Sequence, residues 1–268
     1  MISSELKKWS CTIGITLSRY MAYKADFMLT LIAPSFVFIL VSYNVWSSVY
    51  ALQDTSTIGG FSREQMLAYQ CWAFIATLLI RSHRSWNLSE DIRFGRITAF
   101  LMYPFEFWKF HACEFISFQF IQIVIASIAI GTLTACGFIP LPSFSTLFVG
   151  ISFALLVSTL WFVFEFLFGL VAFWLEETWV FRYVFTLFSV FLSGFFIPLE
   201  LFPQSVQAIL RWTPFPFLTS VPVHIFLGTY EDSILRAILT LFTWMLGVGI
   251  LTRWTWRKGL HLYTGAGI

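Results

Sequence analysis

Charge is what this sequence has least of. Only 11% of its 268 residues are Asp, Glu, Lys or Arg, against about 25% in an ordinary soluble domain. That scarcity excludes a water-soluble globular chain, and a net charge of +2 gives no basis for nucleic-acid binding. The four cysteines (Cys11, Cys71, Cys113, Cys136) include no CxxC pair, and the four histidines (His83, His111, His224, His261) are far apart. Neither a metal site nor a disulfide framework is supported. No GxxxxGK[ST] loop occurs and no glycine is followed by lysine, so the chain has no phosphate cradle of its own. There is no HExxH helix and no convincing Ser/His or Ser/Lys arrangement for an intramembrane protease. The segment before Phe27 lacks the apolar core and cleavage site of a signal peptide.

What remains is apolar. Hydrophobic residues make up 58% of the chain, including 33 Phe and 12 Trp, and the mean hydropathy is +0.80. The fold class expected is an all-α polytopic membrane protein, with aromatic residues such as Trp46, Tyr50, Trp161 and Trp174 mostly packing against lipid. At about 20 residues per crossing, six spans can be drawn. They cover about Phe27–Tyr50, Gln65–Ile80, Ala112–Cys136 and Leu147–Trp174, then a fifth from just after Arg182, and a sixth over about Ile234–Leu251. The second is short and contains Gln70. With the N-terminus, the second and fourth loops and the C-terminus on one side, that side holds thirteen Lys and Arg residues, and the other holds only Arg63, Arg211 and Arg236. By the positive-inside rule both termini face the cytoplasm, and an even number of spans agrees by placing them on one side.

One transmembrane domain, residues 1–268, is expected, with three features outside the spans. In residues 1–26, Leu6, Trp9, Ile13, Leu17 and Tyr20 recur at helical spacing, which predicts a helix in the inner interface rather than a plain polar leader. Residues 81–111 are too long for a simple connector. There Asn87 followed by Glu90 resembles a capping box, which would place Glu90 and Asp91 in a first turn that favours anions. Gly95 can end that turn, and Pro104 breaks the apolar run that follows. The third feature is the stretch Ser193–Gly228, mostly apolar yet holding Pro198, Pro203, Pro214, Pro216 and Pro222. Pro198 disfavours helix in the residue before it. From Tyr183 to Ile197 there is only about 22 Å of helix, short of a hydrocarbon core of about 30 Å. Pro203 suits the start of a second short helix, in which Val206, Ile209 and Leu210 oppose Gln204, Gln207 and Arg211. Two readings follow: a re-entrant hairpin on the outer face, or one complete span kinked at Pro198 and followed by a hydrophobic loop.

Intramembrane polar residues are few. Glu165 is the one carboxylate deep in a span, and Glu114 lies near the inner end of the third. Such a group faces a cavity or the bundle interior. Glu165 therefore either contacts substrate or protons, or bonds across a helix contact. Gln70, Gln119 and Gln122 read first as bonds between helices and second as pathway lining. Glu200 caps or pairs locally, near Arg211. Glu176, Glu177 and Arg182 sit in the turn between the fourth and fifth spans, either touching a partner or solvated.

Six spans with cytoplasmic ends, a charged helix after the second span and "FFIPLELFPQSVQAILRWTPF" after the fifth are similar to the permease subunits of type 2 ATP-binding-cassette exporters. "RYMAYKADFMLTLI", "SEDIRFGRITAFLMYP" and "WRKGLHLYTGAG" resemble a bacterial branch in which two related permeases often accompany one ATPase. The resemblance covers nearly the whole chain. It implies a dimer of permeases in the bacterial inner membrane, each seated on a separate ATPase that carries the ATP and Mg. The helix matching Asn87–Gly95 would be the coupling helix, making Glu90, Asp91, Ile92 and Arg93 the expected ATPase contacts unless those charges form a solvated face. Gly194, Pro198, Glu200, Pro203 and Arg211 would belong to an outer gate. No enzyme activity is expected of the chain itself. Its implied work is outward movement of an amphiphilic, drug-like or lipid-like substrate. Polysaccharide export is the alternative within the class. A broken fifth helix beside Glu165 also fits an ATP-independent secondary transporter.

Overall fold

A computed structural model describes residues 2–22, 24–53, 56–81, 86–102 and 105–263. Almost every element is a helix. In chain order these are α1 (Ile2–Ala22), α2 (Lys24–Gln53), α3 (Arg63–Ile80), α4 (Trp86–Arg93), α5 (Ile97–Met102), α6 (Phe107–Ala135) and α7 (Phe144–Leu170), with a 3-10 turn continuing α7 to Phe173. Then come α8 (Trp179–Leu192), α9 (Gln204–Leu210), α10 (Ser220–Leu227) and α11 (Ile234–Leu262). A two-residue antiparallel pair, Thr57–Ile58 with Phe61–Ser62, leads into α3.

Among the described residues, four helices are long and apolar enough to cross a membrane: α2 over Phe36–Gln53, α6, α7 with its 3-10 extension, and α11. The chain is an all-α polytopic membrane protein. α3 is less apolar for a physical reason. Thirteen of its eighteen residues are buried, so it is wrapped by protein and needs no lipid-facing surface. Ser62 and Gln65 close a capping box at its start, the Ser62 hydroxyl accepting from the Gln65 amide at 3.3 Å and Gln65 Oε1 accepting from the Ser62 amide at 2.9 Å. The expected start at Gln65 is thus two residues late.

Among the described residues, three apolar clusters hold the bundle. The largest joins α3, α6, α7, α10 and α11, with Trp72 stacked on Phe226 at 4.6 Å between centroids. A second, at the end opposite the hairpin, gathers Leu88, Ile92 and Ile97 with Phe107, Phe166, Leu170 and Phe173. A third packs Trp46 and Tyr50 of α2 on Met66.

Several boundaries differ from expectation. The fifth span begins at Trp179, before Arg182 rather than after it, and ends at Leu192 rather than near Ile197. Its length is then about 21 Å. α11 runs eleven residues beyond the expected Leu251, because Trp256, Leu260 and Tyr263 find cover on the second cluster. α4 starts at Trp86, so Asn87 lies inside the helix rather than ahead of it, and Glu90 and Asp91 fall in its second turn. The apolar stripe of α1 is turned mainly onto α6: Trp9 meets Phe105 and Trp108, and Tyr20 meets Phe118 at 5.7 Å. Leu6 remains exposed. Pro104 lies outside the described residues.

Candidate functional site: a rooted helical segment and a hairpin at the opposite end

The segment α4–α5 is rooted in the bundle by its apolar side. Leu88 and Ile92 are fully buried. Leu88 packs so closely on Gly169 of α7 that a Cβ at that glycine would overlap the leucine side chain. The chain then turns at Gly95, whose carbonyl accepts a hydrogen bond from the Tyr263 hydroxyl at 2.9 Å.

Polar contacts fix the same segment. Asp91 is buried and faces Arg96 Nε at 3.2 Å and His111 Nε2 at 3.9 Å. His111 Nδ1 in turn lies 3.3 Å from Glu114, which is paired with Arg19 of α1. A chain of charged and titratable groups therefore runs from α4 through α6 to α1. Burial pushes the Asp91 carboxyl above its ordinary range, and His111 and Arg96 offset only part of that. Arg93 reaches Glu177 at 3.2 Å and the Glu176 carbonyl at 3.3 Å.

These placements divide the four expected ATPase contacts. Glu90 is exposed and Arg93 half-exposed, whereas Asp91 and Ile92 point into the bundle and offer no surface. A helix this short shows only one side, and Ile92 is the residue that anchors the other. The outward side gains two residues that the charge pattern did not single out, Phe94 at 62% exposure and Arg96, with both Arg93 and Arg96 over the Phe94 ring at 5.5 and 5.4 Å. Phe94 left a signal, an aromatic beside a turn glycine, but an apolar residue beside a membrane reads first as lipid contact.

Glu165 is paired with Arg182 at 3.3 Å. Arg182 is not in a solvated turn. It sits in the first turn of α8, 4% exposed, and also reaches Ser89 of α4 at 3.5 Å. The acid thus ties α7 to α8 and, through Arg182, to α4. A paired buried charge of this kind is costly to break.

On the opposite face the chain breaks at Gly194, whose φ of 85° a side chain would strain. The non-helical stretch that follows needs donors, since backbone away from water must be satisfied. Tyr69 hydroxyl donates to the Gly194 carbonyl at 2.8 Å and Gln70 Nε2 to the Phe196 carbonyl at 3.2 Å. Gln70 is accordingly a bond between elements. The excursion then returns to its starting level: Ser220 amide donates to the Ser193 carbonyl at 3.0 Å, and Thr219 hydroxyl to Ser193 Oγ at 3.1 Å. α10 therefore starts beside the end of α8, the geometry of a re-entrant hairpin rather than of a kinked span. Pro198 heads a 3-10 turn and Pro203 stands just before α9.

Glu200 pairs with His224 at 2.9 Å, not with Arg211, and the other His224 nitrogen lies 2.8 Å from Thr229 Oγ1. Burial raises the Glu200 pKa, but the bond from His224 and a backbone bond outweigh it, leaving the carboxyl below its ordinary range. Between this hairpin, the start of α3 and the start of α11 lies a cavity of about 1330 Å³ lined by Glu64, Glu200, Arg211, His224 and Arg236 over an apolar floor that includes Phe138 and Phe217.

The geometry combines a central buried helix, a segment rooted in the bundle at one end and a re-entrant hairpin at the other. A family model described as ABC-2 family transporter protein matches residues 36–267. No curated protein matches the chain. With the match covering most of its length, the chain belongs to the ABC-2 family of transporter proteins and is a membrane-embedded permease of the type 2 ATP-binding-cassette class.

Proposed function

We propose that the chain is the permease of an ATP-driven exporter, working as a dimer in a bacterial inner membrane with both termini in the cytoplasm. ATP and Mg are bound by a separate ATPase, which engages the outward side of α4. The observation that carries this reading is the two-sidedness of the coupling segment. Leu88 and Ile92 root it in the bundle, while Glu90, Arg93, Phe94 and Arg96 stand outward. A push on that surface has rigid routes inward, through Leu88 on Gly169 to α7, through Ser89 and Arg182 to α8, and through Asp91 and His111 to α6. Asp91 and Ile92 act in this proposal by positioning the segment rather than by touching the ATPase.

α8 receives that push, and its early end at Ser193 sets the hairpin above it. The Glu200–His224 pair and the Ser193–Ser220 contact hold the gate closed, and the apolar floor of the outer cavity with its mixed charged walls suits an amphiphilic substrate leaving outward. The reading is tested by affinity purification of the tagged chain from its native membrane. The expected product contains an ATP-binding-cassette ATPase, and its yield falls about tenfold in a Glu90→Lys/Arg93→Glu variant. Nucleotide-independent flux by the chain alone would instead support a secondary transporter.

A further inference from the structure

The uncovered face of α11 changes character once along its length. Leu235, Leu239, Phe242, Leu246 and Ile250 follow one another at helical spacing, and each is more than half exposed. From Leu235 to Ile250 the stripe measures about 22 Å, most of a hydrocarbon core of about 30 Å. One turn further on, the same face presents Arg253 and Arg257, with Trp254 and Lys258 flanking them round the helix, all exposed. The Lys258 ammonium lies 4.3 Å from the centre of the Trp254 ring. This is the depth at which lipid headgroups begin, and aromatic and cationic side chains belong there.

The charges on this face differ from their neighbours. Arg19, Arg93, Arg96, Lys109 and Arg182 each have a carboxylate partner. Among the described residues, no carboxylate lies within ion-pair distance of Arg253, Arg257 or Lys258. The opposite face of the same helix end is occupied by protein. Trp256 stacks on Phe107, and Tyr263 bonds to Gly95 and Thr98 of the coupling segment. An ATPase seated on that segment therefore approaches from the other side of α11. What covers the cationic face is the continuation of what covers the apolar stripe above it.

We propose that Arg253, Arg257 and Lys258, with Trp254 as anchor, form a binding site for the headgroups of anionic phospholipids in the leaflet where α11 ends. The acyl chains lie along the Leu235–Ile250 stripe, and the phosphate meets the three cations. Occupancy fixes the depth of α11 and, through Trp256 and Tyr263, the footing of the coupling segment.

The test is native mass spectrometry of the purified full chain, offered equal amounts of phosphatidylglycerol and phosphatidylcholine with matched acyl chains. The wild type retains phosphatidylglycerol about tenfold over phosphatidylcholine, and the preference shrinks as salt is raised. An R253Q/R257Q/K258Q variant retains the two lipids equally, and R257Q alone shows an intermediate preference should the triple variant fail to fold. An R211Q/R236Q variant, altered at the opposite end, keeps the wild-type preference. Excess inorganic phosphate leaves the bound phosphatidylglycerol in place. Displacement by phosphate would make this a site for a free anion and overturn the lipid assignment. A wild type without preference, or a triple variant that keeps it, would overturn the proposal too. So would loss of a co-purifying ATPase from the triple variant while lipid preference persists, since the face would then be a protein contact.

Discussion

Single side chains at the Gly194 break have roles that their residue types alone do not reveal. The Gly194 turn frees carbonyls that lie away from water, and Tyr69 and Gln70 of α3 supply the donors. Gln70→Leu removes one donor and leaves the Phe196 carbonyl unsatisfied. Thermal unfolding in detergent is expected to show a loss of about 1–3 kcal/mol, whereas Ser62→Ala, at the N-cap of the same helix, costs about 1 kcal/mol. Glu200 makes a pH-dependent contribution. Its folded pKa is below the ordinary 4.5, so its stabilisation is complete above that value and is lost as pH falls through the lower, folded one. The melting temperature of the wild type should therefore drop more steeply on the acid side of pH 4.5 than that of Glu200→Gln. Equal slopes would show that the His224 bond contributes nothing.

At the scale of elements, α4 and α5 separate outward residues, the proposed ATPase contacts, from residues that hold the segment in place. Phe94→Ala removes an exposed ring without disturbing the core, so ATPase recovery should fall while the melting temperature holds. Ile92→Ala empties a buried position and should destabilise by about 2–5 kcal/mol. Gly169→Ala forces a Cβ against Leu88 and should cost about 1–3 kcal/mol, with nucleotide-stimulated activity reduced beyond what the stability loss explains. The sequence could not separate these roles. Glu90 to Arg93 are four consecutive residues, and which two face inward is decided by contacts at Gly169 and His111, which are distant in the chain. Arg182 was hidden for the same reason. Its partner Glu165 lies across a helix contact, and an arginine next to two glutamates reads as a solvated turn.

At the scale of the whole molecule, composition alone made the membrane class and the all-α fold legible. Local chemistry placed the two special segments, because prolines and charge runs act within a few residues. Helix ends were less accessible, as with α11, whose last three turns exist because aromatic residues from α6 and the end of α7 cover them. The central position of α3 was also out of reach, since its modest hydropathy marks it as weak until the surrounding helices are known. The combined result is a bundle with a helical segment rooted at one end and a hairpin at the other, and the function proposed for it has one direct test. The chain co-purified with its ATPase is reconstituted into liposomes, and efflux of a fluorescent amphiphile is followed with and without Mg-ATP. ATP coupling predicts efflux that requires nucleotide and falls about tenfold in Glu90→Lys/Arg93→Glu vesicles. Efflux that proceeds equally without nucleotide, or without the ATPase, would contradict it.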